Sequence, residues 1–214
     1  MLPFLGIIQA LGLLTSFALL GTRSKGAGPQ WLAFQGLLCG LVPIIMHADG
    51  LTTQVVLLAI GNIVLKGIVF PWVLLRLRAR APYHREVVPF IGIVGSTLFG
   101  IPVLALSVWL ALRMTPALKH APFVMLVLSI FLIFVGLFLI VTRRKALMQV
   151  IGYLVLENGI FVFSAIAISG TLLLVELGVL LDAFVAVFVM GIAILHINSE
   201  FGFMDVDQLT ALRG

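Results

Sequence analysis

Apolar runs of about 20 residues recur along the whole sequence, and they constrain its fold more than any other feature. Each run is long enough to cross the roughly 30 Å hydrocarbon core of a bilayer as a helix. Of the 214 residues, 62% are hydrophobic and only 10% are charged, whereas an ordinary soluble domain is about 25% charged. A large soluble core does not explain this pattern, because almost no polar residues remain for the outer face of any helix. The sequence therefore predicts an all-α fold, a polytopic membrane helix bundle.

The bundle is expected to contain about seven transmembrane helices. The apolar segments cover residues 2–20, 30–46, 51–75, 87–112, 122–141, 146–169 and 171–196. We divide them into an N-terminal four-helix region, 1–121, and a three-helix region, 122–196. A polar tail, 197–214, follows them. The first segment has no basic region before it and no small-residue cleavage site, so we expect a retained span and not a signal peptide.

The basic residues predict how the chain is oriented in the membrane. The formal net charge is +5, but Lys and Arg cluster at the ends of apolar runs, which is typical of contact with a lipid bilayer and not with nucleic acid. Nine basic residues lie in the loops after the first, third and fifth spans: Arg23, Lys25, Arg76, Arg78, Arg80, Arg85, Arg143, Arg144 and Lys145. The loops after the second, fourth and sixth spans hold only Arg113 and Lys119. By the positive-inside rule, the N-terminus is outside and the C-terminus is cytoplasmic.

Motifs for bond-making chemistry do not stand out in the sequence. The single cysteine, Cys39, excludes an intramolecular disulfide and a site made only of cysteines. No glycine-rich phosphate loop follows a strand, and no nucleophile–base motif is recognisable. We therefore expect no catalytic residue, no cofactor and no metal site in this chain.

Ionisable residues inside the apolar runs are the strongest functional signal. Glu157 and Asp182 each lie about eleven residues into a span, which places both about 16 Å deep on consecutive antiparallel helices. A charge at mid-bilayer costs at least about 2.5–3.5 kcal/mol, and such residues usually face a bundle interior and mark ion or proton paths. Burial and mutual repulsion both favour the protonated form of a carboxyl group. The alternative for each is a structural polar group whose hydrogen bonds are satisfied.

Two further charges complete the predicted pathway. Lys66 lies ten residues before Arg76, about 15 Å from the cytoplasmic cluster and too far for easy snorkelling. It is expected to act as a relay member or as the counter-charge of a buried acid, with Asn62 as a hydrogen-bond acceptor for its ammonium. Glu176 lies about 9 Å nearer the outer surface than Asp182. It is either an outward station on a hydrated route or a solvated residue beneath the headgroups.

The C-terminal third of the chain carries a recognisable pattern. Its elements are "GYLVLENG", "VELGVLLDA" and "DVDQLTALRG", in that order. This pattern resembles component E of hydrogenase-4-type complexes (HyfE), and the lysine of the third span extends the likeness more faintly towards the N-terminus. The same region is similar to NuoK, the small three-helix membrane subunit of respiratory complex I, and to the corresponding subunit of Mrp-type cation antiporters.

The resemblance implies a role for each acid. Glu157 matches the membrane glutamate of the second NuoK helix, part of the polar axis that carries protons. Asp182 stands near the second such glutamate, but it lies one helical turn further from the C-terminus and it is an aspartate. Its equivalence is therefore open.

Together these features predict a non-catalytic membrane subunit of a proton- or sodium-translocating redox complex, of the membrane-bound [NiFe] hydrogenase type. The expected partners are other membrane subunits of a hydrogenase or complex I-like assembly, including antiporter-like subunits, in a prokaryotic inner membrane. Electrons would travel in those other subunits. Two alternatives remain: a subunit of a cation/proton antiporter or ion-coupled uptake complex without redox activity, and a structural spacer.

Overall fold

The computed structural model describes residues 2–22, 27–46, 53–80, 92–118, 121–143 and 146–167. All of them belong to one compact unit, residues 1–178. Within this described part, six helical segments are long and apolar enough to cross a membrane. The predicted all-α membrane bundle is thus confirmed in its class, while the predicted seventh span, 171–196, lies outside the described residues.

The helices follow the apolar segments closely. They are α1 (Leu2–Leu20), α2 (Gly28–Met46), α3 (Thr53–Asn62), α4 (Phe70–Arg80), α5 (Ile93–Met114), α6 (Phe123–Thr142) and α7 (Ala146–Ala167). Between α3 and α4 the chain continues as a π-helix, Ile63–Val69, which we call the π segment. α3, the π segment and α4 together form the third span.

The most extensive helix pair in this part of the chain is α6 with α7, and glycines allow its close approach. A Cβ atom at Gly136 would collide with the backbone nitrogen of Leu156, and one at Gly152 would lie 2.8 Å from Leu139 Cβ. Membrane helices gain little from hydrophobic burial against each other, so they associate largely by tight van der Waals packing at small residues. The two helices therefore form a closely packed pair, in which α7 is held firmly against α6.

Helix α2 occupies a central position in the described bundle, because it packs against α1, the whole third span and α7. Helix α5, by contrast, is peripheral in the described bundle and packs against α1 and α6. More than half of the surface of five large apolar α5 side chains is exposed: Val94, Leu98, Ile101, Trp109 and Leu112. Such a surface is suited to lipid or to another membrane protein.

A buried arginine ties together the ends of α1 and α6. Arg143 is 5% exposed and its Nη2 donates a hydrogen bond of 2.5 Å to the carbonyl oxygen of Leu20. This cation lies at the C-terminal end of α1, where the helix dipole favours positive charge. Burial lowers the pKa of the Arg143 guanidinium. The contact shows that the first and fifth spans end on the same side, as their alternating topology requires.

Candidate functional site

The central feature of the bundle is a buried ion pair between the third span and α7. Lys66 Nζ lies 2.9 Å from Glu157 Oε1, and the two side chains are 4% and 1% exposed. Lys66 is the middle residue of the π segment, and Glu157 lies near the middle of α7. The sequence places both residues far from the span ends, and the structure brings them into direct contact.

The π segment contributes Lys66 through an unusual backbone. The N–H of Phe70 bonds to the carbonyl of Leu65, five residues back, which widens the helical turn. π-Helical turns are rare and occur frequently at functional sites. The turn fits because α2 is narrow there: a Cβ atom at Gly36 would lie 2.9 Å from the backbone carbon and oxygen of Lys66. The glycine thus lets the lysine backbone approach α2 closely.

A second group from α7 contacts the lysine. Lys66 Nζ lies 5.0 Å from the centroid of the Phe161 ring, one helical turn after Glu157. A cation over an aromatic face is stabilised by the negative face of the ring, and more strongly when both are desolvated. The ammonium of Lys66 therefore has both an anion and an aromatic ring as neighbours.

The pairing explains how two charges are tolerated inside an apolar bundle. Removing an ion from water costs several kcal/mol even after relaxation, and close opposite charges offset part of that cost. An exchange of the two charges for apolar side chains often leaves stability unchanged or higher. The pair is therefore weak support for a purely stabilising role.

Beside the ion pair, a hydrogen-bonded chain of neutral groups links three helices. Gln35 of α2 is fully buried, and its Nε2 donates to Ser16 Oγ at 3.0 Å and to Thr15 Oγ1 at 3.3 Å. Asn158 Nδ2 donates to Gln35 Oε1 at 3.4 Å. Both hydroxyl groups in turn donate to the carbonyl of Gly12. We call these four side chains, Thr15, Ser16, Gln35 and Asn158, the amide chain.

Two buried acceptor atoms near the site have no hydrogen-bond partner in the described part of the protein. They are Asn62 Oδ1, on the span that carries Lys66, and Asn158 Oδ1, on the helix that carries Glu157. The predicted bond from the Lys66 ammonium to Asn62 is therefore wrong. Its prediction assumed α-helical spacing, in which residues four apart share a face. The wider π turn changes that alignment.

The other predicted site residues have different outcomes. Asp182 and Glu176 lie outside the described residues, so their place in a pathway stays a prediction. In the described residues, no group of three His, Cys, Asp or Glu side chains is placed to hold a metal ion.

Sequence reasoning missed the amide chain. It followed charges, whereas Gln35 and Asn158 are neutral. A signal was present, because Gln35 is an amide within an apolar span and Asn158 directly follows Glu157 in "LENG".

The helical fold and the intramembrane ion pair define a multi-pass membrane protein with a charged interior. The chain belongs to the family of the uncharacterized protein Rv0085 of Mycobacterium tuberculosis. The two are 30% identical over 212 residues, which cover 94% of this chain and 91% of that protein.

A second similarity is shorter and points to hydrogenases. The chain is 40% identical over 79 residues to hydrogenase-4 component E of Escherichia coli K12, and the match covers 37% of each protein. Component E of Shigella flexneri matches to the same extent. This supports the predicted relationship to a hydrogenase membrane subunit, over part of the chain. No protein-family model and no solved structure matches the sequence.

Proposed function

We propose that this protein is a non-catalytic membrane subunit of an ion-translocating redox complex, of the membrane-bound [NiFe] hydrogenase type related to complex I. Its contribution is a proton-handling ion pair, Lys66 and Glu157. The observation that carries the proposal is the burial of this titratable pair at the middle of two spans. The partial similarity to hydrogenase-4 component E supports the choice of complex.

In this proposal Glu157 binds and releases the proton, and the position of Lys66 controls which of the two is favoured. An ammonium 2.9 Å away stabilises the ionised form of the Glu157 carboxyl group. If Lys66 withdraws, burial without a counter-charge favours the neutral acid, so Glu157 takes up a proton. When Lys66 returns, the carboxylate is favoured again and the proton is released. A motion that alternates the two arrangements therefore couples a conformational change to proton movement.

The remaining charges extend this scheme. We propose Asp182 as a second acid that exchanges protons with Glu157, and Glu176 as an outward station. We place the N-terminus outside and the C-terminus in the cytoplasm of a prokaryotic inner membrane. The partners are other membrane subunits, including antiporter-like ones, and electrons travel through those partners.

The direct test replaces Glu157 with Gln, which removes the charge and keeps the shape. In inverted membrane vesicles, hydrogen-driven acidification, followed with a pH-sensitive dye, is expected to fall at least tenfold while the complex still assembles. Ser107→Ala is the matched control, because Ser107 is equally buried and its hydroxyl donates to the carbonyl of Val103, one turn back in its own helix. Unchanged acidification in Glu157→Gln would favour a structural spacer.

Affinity purification of the tagged protein decides between complexes. Co-purification of a hydrogenase large subunit is the expected result. Recovery with antiporter or uptake subunits and no redox partner would instead assign the same ion pair to a transporter.

A further inference from the structure

We infer that Gln35 is a positioning residue, which holds the Glu157 carboxylate against Lys66 by anchoring Asn158 to α2. The inference rests on the proposed function only where transport is measured, because the arrangement of the ion pair can be measured separately. Neither the charge pattern nor the hydrogenase similarity assigns a role to Gln35.

Both polar atoms of the Gln35 side chain have hydrogen-bond partners. A buried carboxamide without partners is costly in an apolar environment. Here the amide nitrogen donates to two hydroxyl groups of α1, and the amide oxygen accepts from Asn158 of α7. One side chain of α2 therefore links α1 and α7 at the same depth.

Asn158 links this anchor to the acid. Asn158 follows Glu157 directly, so the two side chains leave α7 about 100° apart. If Asn158 is tied to α2, the rotation of α7 about its own axis is fixed, and with it the direction of Glu157. The same turn of α2 also locates the base, because Gly36 lies against the backbone of Lys66. The positions of Glu157 and Lys66 therefore both depend on one turn of α2, which contains Gln35 and Gly36.

The amide chain can position helices, but it is not suited to transfer protons. Carboxamides do not take up or lose a proton near neutral pH, so the amide chain cannot itself store one. Its bonds all point in one direction, from α7 through Gln35 to the carbonyl of Gly12. A fixed set of this kind holds helices in place. In the described part of the chain, titratable groups that interact with the ion pair include Cys39, one turn along α2 from Gln35, and Tyr153, one turn before Glu157.

The experiment measures the ion pair in the full-length protein, purified with its complex and reconstituted in lipid. Solid-state NMR reports the dipolar coupling between Lys66 ¹⁵Nζ and Glu157 ¹³Cδ, assigned by its loss in Glu157→Gln. Gln35→Leu and Asn158→Leu are each expected to reduce this coupling at least twofold. The double variant should be no worse than either single one, because both remove the same link. Ser107→Ala should leave the coupling unchanged.

A pair of conservative variants distinguishes loss of the Gln35–Asn158 link from misfolding of the protein. Gln35→Asn shortens the link by one methylene and should weaken the coupling, whereas adding Asn158→Gln returns that methylene from the other side and should restore at least half of it. The transport pH profile should shift in Gln35→Asn and return in the pair. An unchanged Lys66–Glu157 coupling in Gln35→Leu would overturn the inference. A reduced coupling, in a protein whose Glu157→Gln variant transports normally, would uphold the inference and remove the proposed function.

Discussion

At the scale of single residues, the buried acid has a partner of opposite charge. Sequence reasoning placed Glu157 near Asp182, an acid beside an acid, and offered Lys66 as a relay member or a counter-charge. The described structure puts Lys66 at 2.9 Å from Glu157, which supports the second role. The structure therefore supplies the carboxylate with a counter-charge inside an apolar bundle.

The pair makes a prediction about stability. Lys66→Met and Glu157→Met should each lower the free energy of unfolding by about 3 kcal/mol, because each leaves a buried ionisable group that must either stay charged without a partner or change its protonation state at a cost. The double variant should recover most of this loss, since no buried charge remains. Denaturant unfolding of the purified variants in detergent measures the three values. Additive losses in the double variant would contradict a direct interaction between the two side chains.

At the scale of helices, the site depends on how closely α2 and the π segment approach. α2 presents Gly36 and Gly40 towards the π segment, and a Cβ at Gly40 would lie 2.5 Å from Ile63 Cγ1. Small residues at such contacts let backbones pack tightly in membranes. The wider π turn therefore packs closely against the glycine face of α2. This packing places the Lys66 side chain beside Glu157 of α7.

The close contact between α2 and the π segment can be tested by adding one methyl group at Gly36. Gly36→Ala should destabilise the protein by about 1–3 kcal/mol, because the new Cβ meets the Lys66 backbone, which cannot move aside cheaply. Gly61→Ala is the matched control on the adjoining α3, where a Cβ would meet nothing within 4 Å. That change should be neutral or stabilise the helix by up to about 1 kcal/mol. Equal effects of the two substitutions in unfolding measurements would show that the close approach is unimportant.

At the scale of the whole molecule, the ends of the spans are marked by aromatic and basic side chains. Arg76 lies over the Trp72 ring at 5.3 Å, and Arg113 lies over the Trp109 ring at 5.6 Å. Trp and Arg are suited to the membrane–water interface, where an apolar body and a polar tip are both accommodated. These pairs are consistent with the third span ending near Arg76 and the fourth near Arg113.

The orientation of the molecule can be tested at the two ends of α5. Gly92 and Ala117 are both exposed, and the native Cys39 is only 1% exposed, so its background labelling should be low. A membrane-impermeant thiol reagent should label Ala117→Cys in intact cells. It should label Gly92→Cys only after the membrane is opened, because the basic loops are expected to be cytoplasmic. The reverse pattern would invert the proposed topology.

The pattern of apolar runs is enough to predict an all-α membrane bundle and to locate the six spans that the structure describes. Helices that are apolar on all sides leave no alternative to a lipid environment, and charges within them are conspicuous, so Glu157 and Lys66 could be selected without a structure. For the same reason, the sequence could not show which face of each helix points inward, since no polar face marks it. The folded arrangement was needed to show that Lys66 meets Glu157, that the third span contains a π turn, and that Gln35 and Asn158 join beside them. These contacts depend on the rotation and separation of helices distant in sequence, which packing sets and local composition does not.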